Sequence, residues 1–212
     1  MAHVGSAASG RPELTEAQEQ KVFRFAGARV ATAVALERLG AGETLPDELA
    51  NQRILGAFVS LKRAGQLRSC CGFMGASVAL SEALDHAALR AATDDPRFPP
   101  ISPTELDYLD MEVWLLWNMQ PMTAEGEDRV GQVEIGRHGL QVERGMARGL
   151  LLPAVAVEHQ MDARGFLRQT CLKAQLPPDA WKDDSTRVST FEGYAIRGPL
   201  ASVLRSDRPI IL

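Results

Sequence analysis

Two alternating runs, Ala57-Phe58-Val59-Ser60-Leu61-Lys62 and Gln66 to Met74, are separated by Arg63-Ala64-Gly65, and this spacing constrains the fold more than any other stretch. Period-two alternation marks strands, and a short connection ending on glycine joins them as a hairpin. A lone hairpin is not stable, so the pair belongs to a larger sheet with a covering layer. On the second strand, Arg68 and Cys70 project from one face, about 6.6 Å apart. Leu67, Ser69, Cys71 and Phe73 take the other face, whose apolar character assigns it to the core. A guanidinium that close to a thiol favours the thiolate, which makes Cys70 a candidate nucleophile. The competing reading is a small buried hydrophobe, the usual fate of a cysteine thiol.

The remaining elements follow from periodicity and breakers. Residues 1–12, rich in Ala, Gly and Ser, read as a disordered leader. Thr15 and Gln18 form a capping-box signature, and the apolar spacing from Val22 to Val34 predicts a helix to about Arg38, ending near Gly40. Leu45 to Gln52 is a loop or short helix. Ser81 to Thr93 reads as a helix with Ala83, Leu84, Ala87, Ala88 and Ala91 inward, broken by Asp94-Asp95-Pro96. The prolines that follow exclude regular pairing up to Pro103. Tyr108 to Trp117 alternates as a strand whose acidic face, with Asp110 and Glu112, is expected in solvent. Short strands are expected at Val133-Glu134-Ile135 and Gly139 to Glu143, helices at Val155 to His159 and Gly165 to Ala174, and a closing strand at Val188 to Ile196. Hairpins mixed with irregularly placed helices define an α+β domain at 13–197, a mostly antiparallel sheet flanked by helices, followed by an unassigned tail at 198–212.

Composition narrows the function classes. A chain of 212 residues, 45% hydrophobic, can bury a substantial core as one folding unit. Three cysteines without CxxC spacing argue against a disulfide scaffold and against a cysteine zinc site, and fit a reducing cytosol. Cys70 and Cys71 face opposite ways in a strand and are poorly placed to bond each other. No apolar run approaches the roughly 20 residues of a membrane span, and no signal peptide is expected. A formal net charge of −4 disfavours a nucleic-acid binder, and Lys62, Arg63 and Arg68 read as a hairpin turn kept soluble by charge. Four scattered histidines lack metal-ligand spacing, so no protein-bound catalytic metal is expected; His86 and His159 read as helix-surface residues. Cys171 falls on the apolar face of its helix.

Gly56 to Lys62 leading into Leu67-Arg68-Ser69-Cys70-Cys71-Gly72 resembles the LRGCIG signature of the AMMECR domain family, also called AmmeMemoRadiSam system protein A in bacteria and archaea. Asp94-Asp95-Pro96-Arg97-Phe98-Pro99-Pro100 is similar to that family's DxRFxP landmark. Gly136-Arg137-His138-Gly139-Leu140, Gly149 to Pro153 and Phe166 to Trp181 follow in the family's order. The resemblance implies an α+β fold with a smaller subdomain and a cleft near the signature. It also implies Memo-like and radical-SAM proteins as partners, and no cofactor. Ser69 stands where the signature has glycine, Cys71 where it has isoleucine. Ala154, Met161 and Trp114 also depart from the pattern.

Two mechanisms are open at this level. In one, Cys70 is a nucleophile and His138 its base, while Arg68 lowers the thiol pKa and, with Asp95 and Arg97, binds a small anionic substrate. In the other, the chain is a non-catalytic module that binds a metabolite or docks a partner enzyme. An RNA-modification accessory role is a third reading, which the acidic balance does not favour. Asp95 and Arg97 also admit a purely structural role, a salt bridge that locks the proline-rich loop.

Overall fold

The reciprocal cap read at Thr15 opens the first helix. Thr15 N–H donates to Gln18 Oε1 (2.9 Å), Gln18 N–H donates to Thr15 Oγ1 (3.3 Å), and α1 spans Glu16–Ala35. A computed structural model describes residues 10–35 and 43–205. The expected leader up to residue 9, the helix end near Gly40 and the tail beyond residue 205 lie outside that range.

The hairpin forms from β1 (Arg53–Arg63) and β2 (Gln66–Ala79), paired antiparallel. Its two loop residues, Ala64 (φ 49°) and Gly65 (φ 76°), are both left-handed, which matches the twist of the flanking strands. The register then slips: Leu61 faces Ser69 and Lys62 faces Leu67, so Arg68 has no residue opposite it. An extra residue of this kind re-aims the side chains around it. Ser69 and Cys71 are buried as expected, but Leu67, expected in the core, is 39% exposed.

Helix α3 (Leu80–Thr93) lays Ala83, Leu84, Ala87, Ala88 and Ala91 against a core that includes Ala57, Val59 and Leu61 of β1. Past a 3-10 turn at Pro103–Tyr108, β3 (Leu109–Pro121) adds Met111, Val113 and Leu115 to this core. The opposite face of β3 corrects an expectation. Asp110 is exposed, but Glu112 is buried. Lys62 Nζ (3.0 Å), Arg197 Nε (3.1 Å) and Trp114 Nε1 (3.2 Å) all donate to its carboxylate. Burial works against its charge, and these donors outweigh it, so its pKa falls below the usual range. Alternation alone cannot tell a solvated carboxylate from one supplied with cations by other strands.

With β4 (His138–Arg144), β5 (Ala147–Leu151) and β6 (Arg187–Pro199), the strands form one six-stranded antiparallel sheet in the order β2-β1-β3-β6-β4-β5. The chain divides into two compact units, one comprising Pro12–Leu115 with the return from Tyr194, the other Leu116–Gly193. The first contains the short α2 (Asp47–Ala50) and ends with α6 (Ala201–Arg205), where no structure was assigned.

The second unit has its own core of Leu140, Val142, Phe166, Leu167, Cys171 and Trp181, built on β4, α4 (Pro153–Glu158) and α5 (Ala163–Lys173). Asp162 caps α5, accepting from Gly165 N–H (2.7 Å). At Gly149 a Cβ would lie 2.5 Å from the Ala174 nitrogen, so only glycine lets β5 approach the end of α5 this closely. The strand expected at Val133-Glu134-Ile135 is absent. That stretch follows a 3-10 turn at Gly126–Gln132 and bends through Gly136 (φ 87°) instead.

Candidate thiol site

β2 lies at one edge of the sheet, so its outward main-chain groups have no neighbouring strand. At Cys70 two side chains take that strand's place. Cys70 N–H donates to Asp95 Oδ2 (2.8 Å), and Arg97 Nη2 donates to the Cys70 carbonyl (3.3 Å). The two side chains grip each other through Arg97 Nε to Asp95 Oδ1 (2.9 Å) and Arg97 Nη2 to Asp95 Oδ2 (2.7 Å). Arg97 N–H also donates to Asp95 Oδ1 (3.1 Å). Further along the edge, Arg90 Nη1 donates to the Gly72 carbonyl (3.5 Å). Burial alone would raise the Asp95 pKa. The Arg97 side chain and the two main-chain donors prevail and hold it far below the usual carboxylate range.

The break at Asp94-Asp95-Pro96 is what delivers this carboxylate, because α3 ends at Thr93 and Pro96 blocks its continuation. Ser69, which replaces a signature glycine, fits the same junction. Only 1% exposed, it donates to the Ala91 carbonyl (2.6 Å) and lies 3.5 Å from Asp95 Oδ2. Ala91 is in the last turn of α3, where carbonyls lack helical partners, so the hydroxyl satisfies one of them.

The Cys70 side chain is half-buried, and Ser60 Oγ, directly across on β1, donates to its Sγ (3.1 Å). Phe58, two residues along the same face, lies over Gly72, where a Cβ would come within 2.2 Å of its ring. The final glycine of the signature is therefore required by an aromatic side chain on the neighbouring strand. Cys71 and Cys171 are buried in the two cores, and burial pushes both thiols up. None of the three cysteines forms a disulfide.

Arg68 turns to the proline-rich segment. Its Nε donates to Glu105 Oε1 (2.8 Å), its Nη2 to Glu105 Oε2 (3.1 Å), and Nη1 and Nη2 donate to the carbonyls of Pro99 (2.9 Å) and Pro100 (3.1 Å). The Arg68 hydrogen bonds lower the Glu105 pKa against its partial burial. Glu105 also accepts from Ser102 N–H (2.9 Å), closing the cap of the 3-10 turn. Lys62 meets Glu112, and Arg63 lies 3.9 Å from Glu105, so all three hairpin cations have carboxylate partners.

His138 belongs to the second unit. Its Nδ1 accepts the Glu134 main-chain N–H (3.1 Å). The neutral ring therefore carries its proton on Nε2, which makes that atom a donor rather than a base. Cys70, Arg68, Asp95 and Arg97 all fall in the first unit. Ser60 and Glu105 were not singled out in the sequence. Ser60 was not within reach, since the unbroken hairpin register would set it opposite Ser69 and only the extra residue at Arg68 brings it opposite Cys70. Nor was Glu105, because no local pattern links it to Arg68. Among the described residues, no group of three or more His, Cys, Asp or Glu side chains could hold a metal ion, and no helix is long and apolar enough to cross a membrane.

The edge clamp and signature strand coincide with a family match: residues 23–196 fit the AMMECR1 model. The chain belongs to the AMMECR1 family. A protein of Methanothermobacter thermautotrophicus is 48% identical over 151 residues, covering 71% of this chain and 78% of its own. One from Thermococcus gammatolerans is 44% identical over 168 residues, covering 74% and 81%. The crystal structure of uncharacterized protein PH0010 from Pyrococcus horikoshii superposes with a TM-score of 0.77 at 35% identity, covering 88% of this chain and 98% of that one.

Proposed function

We propose that this AMMECR1-family chain is a thiol-dependent component of an enzyme system, with Cys70 as the nucleophile. The Ser60 hydroxyl aimed at Sγ at 3.1 Å carries this reading, because a lone structural thiol needs no such donor. Cys70 Sγ forms a bond to an electrophilic substrate carbon, the displaced group leaves with its bonding pair, and the thiol proton goes to solvent. Asp95 and Arg97 position the strand, and Arg68 positions the loop. Arg97 is the group suited to an anionic substrate. Its side chain is 40% exposed and its Nη1 takes no part in the clamp. The base role considered for His138 is not supported, because the lone pair of the neutral ring, on Nδ1, is taken up by the Glu134 N–H. Association with Memo-like and radical-SAM proteins rests on the family resemblance.

The second reading, a binding or docking module, is favoured by one observation. Arg68 is fully engaged with Glu105 and two carbonyls, leaving less cation beside the thiol than the sequence promised. Iodoacetamide labelling of the native chain, resolved by peptide, separates the two. Rapid and selective reaction at Cys70 supports the thiol reading, and an inert Cys70 turns attention to docking.

A further inference from the structure

The second unit contains a polar cluster that the Cys70 reading does not use. Asn118 sits in the left-handed region (φ 52°) within β3, a conformation uncommon for a residue other than glycine. Its side chain is fixed at both ends. Asn118 Nδ2 donates to Glu192 Oε1 (2.6 Å), and Gln120 Nε2 donates to Asn118 Oδ1 (3.0 Å). Arg137 Nη2 donates to the same Glu192 oxygen (3.2 Å), while its Nη1 holds Glu134 (2.9 Å).

Both donors reach Oε1, and Oε2 has no hydrogen-bond partner among the described residues. Burial opposes the charge on Glu192, but the hydrogen bonds from Asn118 and Arg137 keep its pKa below the usual range. His138 stands directly opposite Glu192 in the β4–β6 ladder, so the two side chains leave the same face about 5 Å apart at Cβ. The Glu134 N–H on Nδ1 orients the imidazole, and Nε2–H has no acceptor among the described residues.

An anchored donor and an anchored acceptor thus lie side by side. Their complement is an amide, whose carbonyl accepts from His138 Nε2–H and whose N–H donates to Glu192 Oε2. Ile135, 40% exposed, lies in the turn that Glu134 and His138 close, and a Cβ on the next residue, Gly136, would touch Val157, 56% exposed, at 3.5 Å. We propose that His138 and Glu192 form a recognition site for a peptide-type amide bearing an apolar side chain, which rests on Ile135 and Val157. A carboxylate in place of the amide N–H would face the Glu192 charge and be rejected. The proposal is independent of the reading for Cys70.

The test titrates the full chain with N-acetyl-L-leucine methylamide and, separately, with N-acetyl-L-leucine, following side-chain and main-chain nitrogen resonances. The expected result is an Nε2–H tautomer at His138, with saturable shifts at His138 and Glu192 for the methylamide and affinity for the carboxylate weaker by about tenfold or more. Glu192→Gln keeps an oxygen for Asn118 and Arg137, so it should fold as the parent does and lose the discrimination between the probes. An Nδ1–H tautomer, equal affinity for both probes, or no saturable shift in the parent chain would overturn the proposal. Undiminished discrimination in folded Glu192→Gln would do the same.

Discussion

The Asp95 carboxylate accepts the main-chain N–H of Cys70 at 2.8 Å, and through this bond a loop after α3 holds the backbone of a signature cysteine on an edge strand. Arg97 completes the arrangement by donating to the carbonyl of the same residue. Edge strands are commonly protected by bulges, charge or a covering loop. Here an acid and a base two residues apart supply the missing acceptor and donor.

Asp95→Asn keeps an acceptor oxygen but removes the charge facing Arg97. Because Arg97 stays partly solvated, the expected loss at neutral pH is about 2 kcal/mol, less than for a fully buried pair. The folded pKa of Asp95 lies below its unfolded value, so its contribution is present above the unfolded pKa and is lost as pH falls toward the folded one. Urea unfolding between about pH 5 and about pH 3 should therefore weaken the parent more than the variant.

Ser69→Ala leaves the Ala91 carbonyl without its donor in a buried place. A cost of about 1–2 kcal/mol is expected. Thermal unfolding checks it, and native-state alkylation of Cys70 should be little changed, since the clamp remains.

Ala64 holds a left-handed backbone in the hairpin loop, where a Cβ is unfavourable. Ala64→Gly should relieve about 1 kcal/mol of this strain, offset in part by unfolded-chain entropy, and raise the melting temperature slightly. No change at Cys70 is expected.

Arg129 is buried in the second unit, and its partners are all carbonyls. Nε donates to Ala124 O (3.0 Å) and Nη1 to Trp181 O and Asp183 O. Arg129→Met fits the volume but leaves these acceptors unpaired, for an expected loss of about 2–3 kcal/mol. Hydrogen exchange should locate the loss in residues of the second unit.

The hairpin, α1 with its cap and α3 with its alanine face were all legible, because each rests on a local pattern that the structure repeats. The burial of Glu112 was not, because its three donors come from β1, β3 and β6. Leu67 departed from the alternating pattern because Arg68 is an extra residue, and a register slip leaves no mark in the hydrophobic sequence of one strand. At the site, Cys70 and the Asp95/Arg97 pair were visible as motifs. Their hydrogen bonds to one peptide unit were not, since they depend on where α3 ends relative to the sheet. The structural lock foreseen as one role for Arg97 is matched in form by its grip on Asp95, while Arg68 reaches the proline carbonyls themselves.

The role proposed for Cys70 is that of a nucleophile positioned from across the hairpin by Ser60. The most direct test is the pH dependence of iodoacetamide labelling at each cysteine in the native chain and in Ser60→Ala. Cys70 alone should react, since Cys71 and Cys171 are buried with raised pKa values. Losing the Ser60 hydroxyl should slow Cys70 by about tenfold below neutral pH, the effect of one hydrogen bond to a charged sulfur. Labelling of all three cysteines only on unfolding, or a Cys70 rate unaffected by Ser60→Ala, would contradict it.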